Sequence, residues 1–375
     1  MTENKTERLR LIGDPGAAIY GLPIAEWQAR NWGRAGVDKA SGRIFTRAEW
    51  VLSTGLARAI VTTPGAALVE PGPKGARLAA VHAPASLDPA AIEAEMAKET
   101  ADTAALQALG LTVGDAVALA GVYNKELRKR DKPFAIDIAA DGIETAERAL
   151  FKSSYKGVTD LVTKFAWPWP AFHVTRWCAA KGISPNTVTT VSLVFCLLAM
   201  WFFWRGDWAL GFLTGWFMTF LDTVDGKLAR TTLTSSQWGN IYDHGIDLIH
   251  PPFWYIAWYV GLGAGGAAVP DWALQSLYVI LGLYVGGRII EGIFMRVHGF
   301  HIHSWRRFDS VLRVVTARRN PNMLIFMLFT MVGAPAEGLL AVAVWTVLCN
   351  AIHLVRLVQA GVTPSKPPLE SWMAS

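Results

Sequence analysis

Asp222-Thr-Val-Asp225-Gly226-Lys-Leu-Ala229-Arg230 is followed, after eight residues, by Gly239-Asn-Ile-Tyr-Asp243-His-Gly-Ile-Asp247, and strongly apolar segments flank the whole stretch. A charge at bilayer depth is expensive, so carboxylates in such a setting face a cavity and serve an ion, a proton or a substrate. On an α-helix, residues three or four apart share a face, and Asp243 and Asp247 are offset by only roughly 40° around the axis. Two helices can therefore aim their carboxylates at one point. Hard oxygen ligands of this kind suit Mg²⁺ or Mn²⁺, which commonly bridge carboxylates and phosphates, so the pattern points to a metal site and a phosphate-bearing substrate.

Outward from this stretch, the chain of 375 residues divides by composition. From Thr187 onward, runs rich in Trp, Phe, Leu and Val recur at lengths near the ~20 residues that a bilayer span requires. Six transmembrane helices are expected, at about 187–206, 208–225, 237–260, 272–295, 318–335 and 337–359. The fifth is the weakest, because only Met323 to Gly333 is uninterrupted apolar sequence and Arg318, Arg319 and Asn320 fall at its mouth. Loops at Arg205-Gly-Asp207, Gly261 to Asp271 and Val332 to Glu337 carry almost no Lys or Arg, whereas 296–319 holds Arg296, Arg306, Arg307, Arg313, Arg318 and Arg319. That asymmetry places both termini in the cytoplasm and the protein in the cytoplasmic membrane. The start Met-Thr-Glu-Asn-Lys-Thr-Glu-Arg lacks the apolar core of a secretory signal, which agrees. Cys178, Cys196 and Cys349 form no CxxC pair, against a disulfide framework or zinc ribbon. The net charge of +5 is modest, and no nucleic-acid partner is expected.

The predicted fold is an all-α polytopic membrane domain, 187–360, preceded by a small cytoplasmic α/β domain, 1–146. In the latter, apolar runs (Arg58-Ala-Ile-Val-Thr, Arg77-Leu-Ala-Ala-Val-His) alternate with helical stretches such as Ala90 to Ala105. Between them, 147–186 mixes Trp167, Trp169, Phe172 and Trp177 with Lys152, Lys156, Lys164, Arg176 and Lys181. That composition predicts an amphipathic helix on the cytoplasmic membrane face from about Glu147 to Gly182, bent or broken at Pro168 and Pro170. The Pro-rich tail, 361–375, is expected to fray.

The order Asp-x2-Asp-Gly-x2-Ala-Arg-x8-Gly-x3-Asp-x3-Asp resembles, at every fixed position, the signature of the CDP-alcohol phosphotransferases, the membrane enzymes of phospholipid head-group synthesis. Pro185-Asn186-Thr-Val-Thr189 extends the resemblance, which covers roughly 150–360. It implies transfer of a phosphatidyl or phospho-alcohol group from a CDP-activated donor to a hydroxyl acceptor, with release of CMP. By the same resemblance Asp222, Asp225 and Asp243 are metal ligands, and Asp247 is the general base and a possible further ligand. Two ions about 3.5–4 Å apart would clamp an in-line displacement. Family members are commonly homodimers. In the leading domain, Tyr20 to Val37 weakly resembles the early helix of sugar-phosphate nucleotidyltransferases, but Leu11-Ile-Gly-Asp-Pro-Gly16 falls short of their phosphate loop, so an inactive domain is expected.

Several residues admit two readings. Gly226, Ala229 and Gly239 either let a nucleotide lie against helix backbone or serve helix packing. Arg230 offers a planar fork to phosphate or is an interfacial positive-inside residue. Asn186 and Thr189 fit either diphosphate donors or helix caps. Arg288, Glu291, Arg318 and Arg319 are the head-group or acceptor candidates, although Arg288 and Glu291 can simply pair across one turn. His298, His301 and His303 read as a solvated or lipid-facing surface better than as a zinc site. His244, beside Asp243, is left without a role. Two rival functions remain: a membrane prenyltransferase using a diphosphate donor, which needs a second Asp cluster where only the distant Asp271 and Asp309 follow, and an ion-coupled transporter, which does not require the glycine, alanine and arginine spacing.

Overall fold

The computed structural model describes residues 8–121, 123–124, 127–363 and 369–374. They group into two compact units, one taking in the chain up to Tyr155 with Arg176–Gly182 and Lys227–Thr234, the other Lys156–Thr175, Ile183–Gly226 and the chain from Ser235 onward. The signal-peptide reading concerns residues 1–8, of which 1–7 lie outside the described residues, as do 364–368 and 375 of the tail.

The first unit is the expected α/β layer. Strands β1 (Leu9–Ile12), β2 (Arg43–Arg47), β3 (Ala66–Gly72), β4 (Gly75–Ala83) and β5 (Thr112–Gly114) form a sheet in the order β1-β2-β4-β3-β5, parallel at its two edges and antiparallel within. Helix α1 (Ile24–Ala35) and helix α2 (Thr54–Thr62) supply Trp32, Leu56 and Ile60 to one apolar cluster, while Ile92, Met96 and Leu106 pack with Phe45 and Val81 in another. The run at Arg58 is helical and not a strand, because Leu56, Ala57, Ile60 and Val61 are buried at helical spacing. The stretch Ala90 to Ala105 is two helices, Pro89–Ala97 and Thr103–Ala108, each capped by an aspartate, Asp88 or Asp102.

Between the two-residue strands Ala18–Ile19 and Leu22–Pro23, Tyr20 (φ 47°) and Gly21 (φ 70°) both take positive φ, as a type I′ hairpin turn demands. The buried Tyr20 donates its N–H to Glu147 Oε1 (2.8 Å) and its hydroxyl to the Glu147 carbonyl (2.7 Å). Burial, reinforced by the Glu147 charge, pushes that hydroxyl far above the ordinary tyrosine range. Arg176 Nε meets Glu147 Oε2 at 2.7 Å.

The single juxtamembrane helix expected over 147–182 is instead three pieces. Helix α3 (Ile143–Ser153) stops at Ser154, a π-helical turn covers Val162–Ala166, and helix α4 (Pro168–Ala180) begins at the proline that was expected to break it. Proline is tolerated in a first helical turn, where its missing N–H has no intrahelical partner to lose.

In the second unit six helices follow: α5 (Pro185–Trp204), α6 (Trp208–Thr231), α7 (Gln237–Leu262), α8 (Asp271–His298), then, after a short helix α9 (Arg307–Val315), α10 (Arg319–Met331) and α11 (Pro335–Val362). Among the described residues three, α5, α8 and α11, are long and apolar enough to cross a membrane, with mean hydropathy 1.9, 1.6 and 2.0. The pattern on α5 is inside-out: Val191, Val194, Leu198 and Trp201 are exposed, while Thr189, Ser192 and Cys196 face inward. An apolar solvent explains that distribution, since exposed hydrocarbon is favourable there and polar groups need protein partners. The interior is aromatic, with Phe203, Trp254, Trp258 and Phe326 together and the last two rings stacked at 4.3 Å. Gly261 lets α7 approach so closely that an added Cβ would collide with the Phe203 carbonyl. The tail expected to fray packs at 369–374 instead: Ser371 is buried and donates to the Ser304 carbonyl at 2.7 Å, and Trp372 N–H bonds the Trp305 carbonyl.

Candidate active site

Two serines start the helices that carry the site. Ser184 caps α5 by accepting from Thr187 N–H, with Pro185 in the first turn, and Ser236 caps α7 by accepting from Gly239 N–H at 3.0 Å. Asn186 and Thr189 are therefore not caps. Thr189 lies one turn inside α5, donating 2.6 Å to Asp225 Oδ2, and Asn186 approaches Gly239, where an added Cβ would stand 2.9 Å from its Oδ1.

Helix α6 presents Asp222 and Asp225 one turn apart, and α7 presents Asp243. One oxygen from each of the three lies within 4.8 Å of the others. Like charges at that separation repel strongly in a low-dielectric interior. Asp225 is only 3% exposed, and its Oδ1 has no hydrogen-bond partner among the described residues. An ionised oxygen left bare in such a place is costly unless it ligates a cation. Converging hard donors around an orphaned buried oxygen fit Mg²⁺ or Mn²⁺.

Asp247 lies outside that set of three. Its Oδ1 takes Arg319 Nη1 at 2.5 Å, while Arg319 Nη2 reaches Asp222 Oδ2 at 2.7 Å, so one guanidinium bridges two of the motif carboxylates. His244 Nδ1 stands 3.5 Å from Asp243 Oδ2. Gly226 is half-buried directly after Asp225; Ala229 and Arg230, also half-buried, fall on the last turn of α6, in the stretch that groups with the first unit.

The four head-group candidates separate. Arg288, Glu291 and Arg318 line one open-mouthed cavity with Tyr255, Asn322 and His353, enclosing about 400 Å³ of empty space out to its mouth; Arg319 does not line it. Glu291 is held at 2.5 Å by Arg318 and more loosely, at 3.4 Å, by Arg288, so the expected Arg288–Glu291 pair exists but is not the principal one. His303 is not on a solvated surface. It is 2% exposed, 3.2 Å from Glu291 and stacked edge-on against His353 at 5.0 Å. Burial holds its imidazole well below the ordinary histidine range, against the opposing pull of Glu291.

Residues 182–352 match the family described as CDP-alcohol phosphatidyltransferase. This stretch is a CDP-alcohol phosphatidyltransferase domain. The transferase domain carries all four motif aspartates. The chain is 28% identical over 216 residues to the phosphatidylinositol phosphate synthase of Streptomyces avermitilis, covering 56% of this chain and 81% of that protein. It is 23% identical over 193 residues to the archaetidylinositol phosphate synthase of Pyrococcus horikoshii, covering 49% and 89%. With the cholinephosphotransferase 1 of Danio rerio it shares 25% identity over 146 residues, 36% of each chain. The match thus spans about a third of the cholinephosphotransferase and most of the two inositol phosphate synthases. The matched stretch is thus of the transferase class.

Proposed function

We propose that this protein transfers a phosphatidyl group from CDP-diacylglycerol to a polyol or polyol phosphate, releasing CMP, within a domain of six membrane-spanning helices whose site opens to the cytoplasm. The observation that carries this reading is the convergence of Asp222, Asp225 and Asp243 around the orphaned Asp225 oxygen. The two inositol phosphate synthases, matched over most of their length, favour a lipid-linked donor and a phosphorylated acceptor over a soluble CDP-alcohol with a lipid hydroxyl.

Asp222, Asp225 and Asp243 would hold one or two Mg²⁺ ions, with Asp247 as a further possible ligand. When bound, such ions supply charge neutralisation on the diphosphate oxygens of an in-line displacement. Thr189 fixes Asp225 by its hydrogen bond, as partners of ligating carboxylates do. Asp247 is proposed as the base that takes the acceptor hydroxyl proton. The acceptor oxygen forms a bond to the phosphorus bearing the lipid alcohol, the bond from that phosphorus to the bridging oxygen breaks, and CMP departs with the electron pair. Asn186, Gly226, Ala229, Arg230 and Gly239 are proposed to contact the nucleotide and diphosphate. Arg288 and Arg318, around Glu291, line a cavity of suitable charge for the acceptor's phosphate.

The first unit is proposed to be non-catalytic. Beyond β1, Gly13 to Gly16 runs into the Ala18–Pro23 hairpin and not into a helix N-terminus of the kind that cradles phosphate. Both termini are assigned to the cytoplasm from the arginine asymmetry alone.

The test is CMP formation by purified protein with Mg²⁺, labelled CDP-diacylglycerol and a panel of polyols and polyol phosphates, with soluble CDP-alcohols as the second arm. Acceptor-dependent CMP release that stops on chelation is expected. A protein that moves ions and releases no CMP from any donor would be a transporter, and the reading would fall.

A further inference from the structure

We propose that Asp160 and Asn320 form a positioning relay, absent from the motif, that fixes the Arg319 fork and through it orients Asp222 and Asp247. Asp160 lies on the segment between α3 and α4, outside the stretch that matches the family. It is 9% exposed and anchors its own turn: Oδ1 accepts Val162 and Thr163 N–H, each at 3.1 Å, and Oδ2 accepts the Thr163 hydroxyl at 2.8 Å. Oδ1 also takes the Asn320 amide nitrogen at 3.0 Å. That contact decides which way the amide faces, since only the nitrogen donates to a carboxylate. The Asn320 oxygen then faces Arg319 and accepts from its Nε at 3.2 Å.

A guanidinium has a rigid fork of five donors, so tethering Nε fixes the plane of both terminal nitrogens. Here Nη1 is left for Asp247 and Nη2 for Asp222. Because Arg319 engages Asp222 Oδ2, the carboxylate is held in one rotation while it contributes an oxygen to the set formed with Asp225 and Asp243. The same guanidinium holds Asp247 Oδ1. Every link in the chain from Asp160 to Asp222 is buried or half-buried, where a hydrogen bond is strong and an unmade one costly. Asp160 stays charged despite its burial: desolvation would raise its pKa, but the Asn320 amide, the Arg313 charge and the Thr163 donors outweigh it and hold the carboxyl below its ordinary range. The relay is therefore a partner shell for the proposed metal ligands that begins outside the transferase helices, and it rests on the metal reading given above.

The experiment is Mn²⁺ binding to the full chain in detergent micelles, followed by the electron paramagnetic resonance signal of free Mn²⁺, with thermal unfolding of each variant as control. Asn320→Ala changes no charge, so its effect on Mn²⁺ affinity reports orientation and not electrostatics. It is expected to weaken binding by about tenfold, the scale seen when a ligand loses its supporting partner, with the unfolding temperature little changed. Asp160→Ala should weaken Mn²⁺ binding by the same factor but with a lower unfolding temperature, and the double variant should bind Mn²⁺ no worse than either single, because the two residues act in series. Wild-type affinity in Asn320→Ala would overturn the relay, as would single losses that multiply in the double variant. Should Asp160→Ala not fold, Asn320→Ala decides alone. A wild-type chain that binds no Mn²⁺ would overturn the metal reading itself, and the relay's purpose with it.

Discussion

Tyr284 of α8 donates its hydroxyl to the Leu248 carbonyl of α7 at 2.7 Å. Pro251 and Pro252 sit inside α7, and Pro252 has no N–H to give to the residue four positions earlier, which is Leu248. A neighbouring helix thus satisfies a backbone group that proline leaves bare, one turn after Asp243 and next to Asp247. Tyr284→Phe should lower stability by about 1–2 kcal/mol. Thermal unfolding in detergent measures it, and an unchanged midpoint would show that water satisfies the carbonyl.

Asp225→Asn is expected to abolish both Mn²⁺ binding and CMP formation while leaving the fold intact. The amide is nearly isosteric and can still accept from Thr189. Full turnover by this variant would remove Asp225 from the ligand set.

Thr189→Val keeps the shape of the α5 face but withdraws the donor to Asp225 Oδ2. Metal affinity should fall by about tenfold to a hundredfold, with helix content unchanged by circular dichroism. If Thr189 instead served the diphosphate alone, Mn²⁺ affinity without nucleotide would not change.

Arg356 on α11 grips Asp309 through two contacts of 2.7 Å, and both side chains are buried, with the guanidinium 4.2 Å from the Trp305 ring centre. Arg356→Met leaves the buried Asp309 charged without its guanidinium, keeping the Arg306 N–H at 3.0 Å, and should cost about 3–5 kcal/mol. The double replacement Arg356→Met with Asp309→Leu should recover most of that loss, as read by thermal unfolding.

Asp160 gives a pH dependence. Its carboxyl is held below the ordinary range in the folded protein, so it contributes stability above its unfolded pKa of about 4, and that contribution disappears as pH falls through the folded value. The unfolding temperature of Asp160→Asn should trail that of the wild type at pH 7, with the gap closing below about pH 4.

Much of the bundle was readable in advance because hydrophobic runs of span length announce themselves: the expected 208–225 and 237–260 begin where Trp208–Thr231 and Gln237–Leu262 begin. Those two helices carry the motif's charges, and α10 has only 13 residues, which is why they fall outside the composition that marks α5, α8 and α11 as spans. The gathering of Asp222, Asp225 and Asp243 followed from helical periodicity. What stayed hidden were partners far away in the chain. Nothing near Thr189 says that its hydroxyl turns toward Asp225, and nothing near Arg318 and Arg319 says that adjacent arginines serve different groups, Glu291 and the motif aspartates. His303 read as surface because its neighbours are basic, yet tertiary packing turned it inward. In the first unit the Arg58 run is short and apolar, and such a run cannot be assigned to strand or helix by pattern alone.

Helix α10 has a further consequence. Thirteen residues rise only about 20 Å, well short of the ~30 Å of hydrocarbon in a typical bilayer, and the helix opens on the half-buried Arg319 and the buried Asn320 and Asn322. On the function proposed above, lipid beside it must dip or water must descend to meet those groups. In such a hollow an acyl-tailed nucleotide and a water-borne polyol meet at one depth, neither having to leave its own phase, and turnover should become sensitive to the thickness of the host membrane, falling in lipids with longer acyl chains.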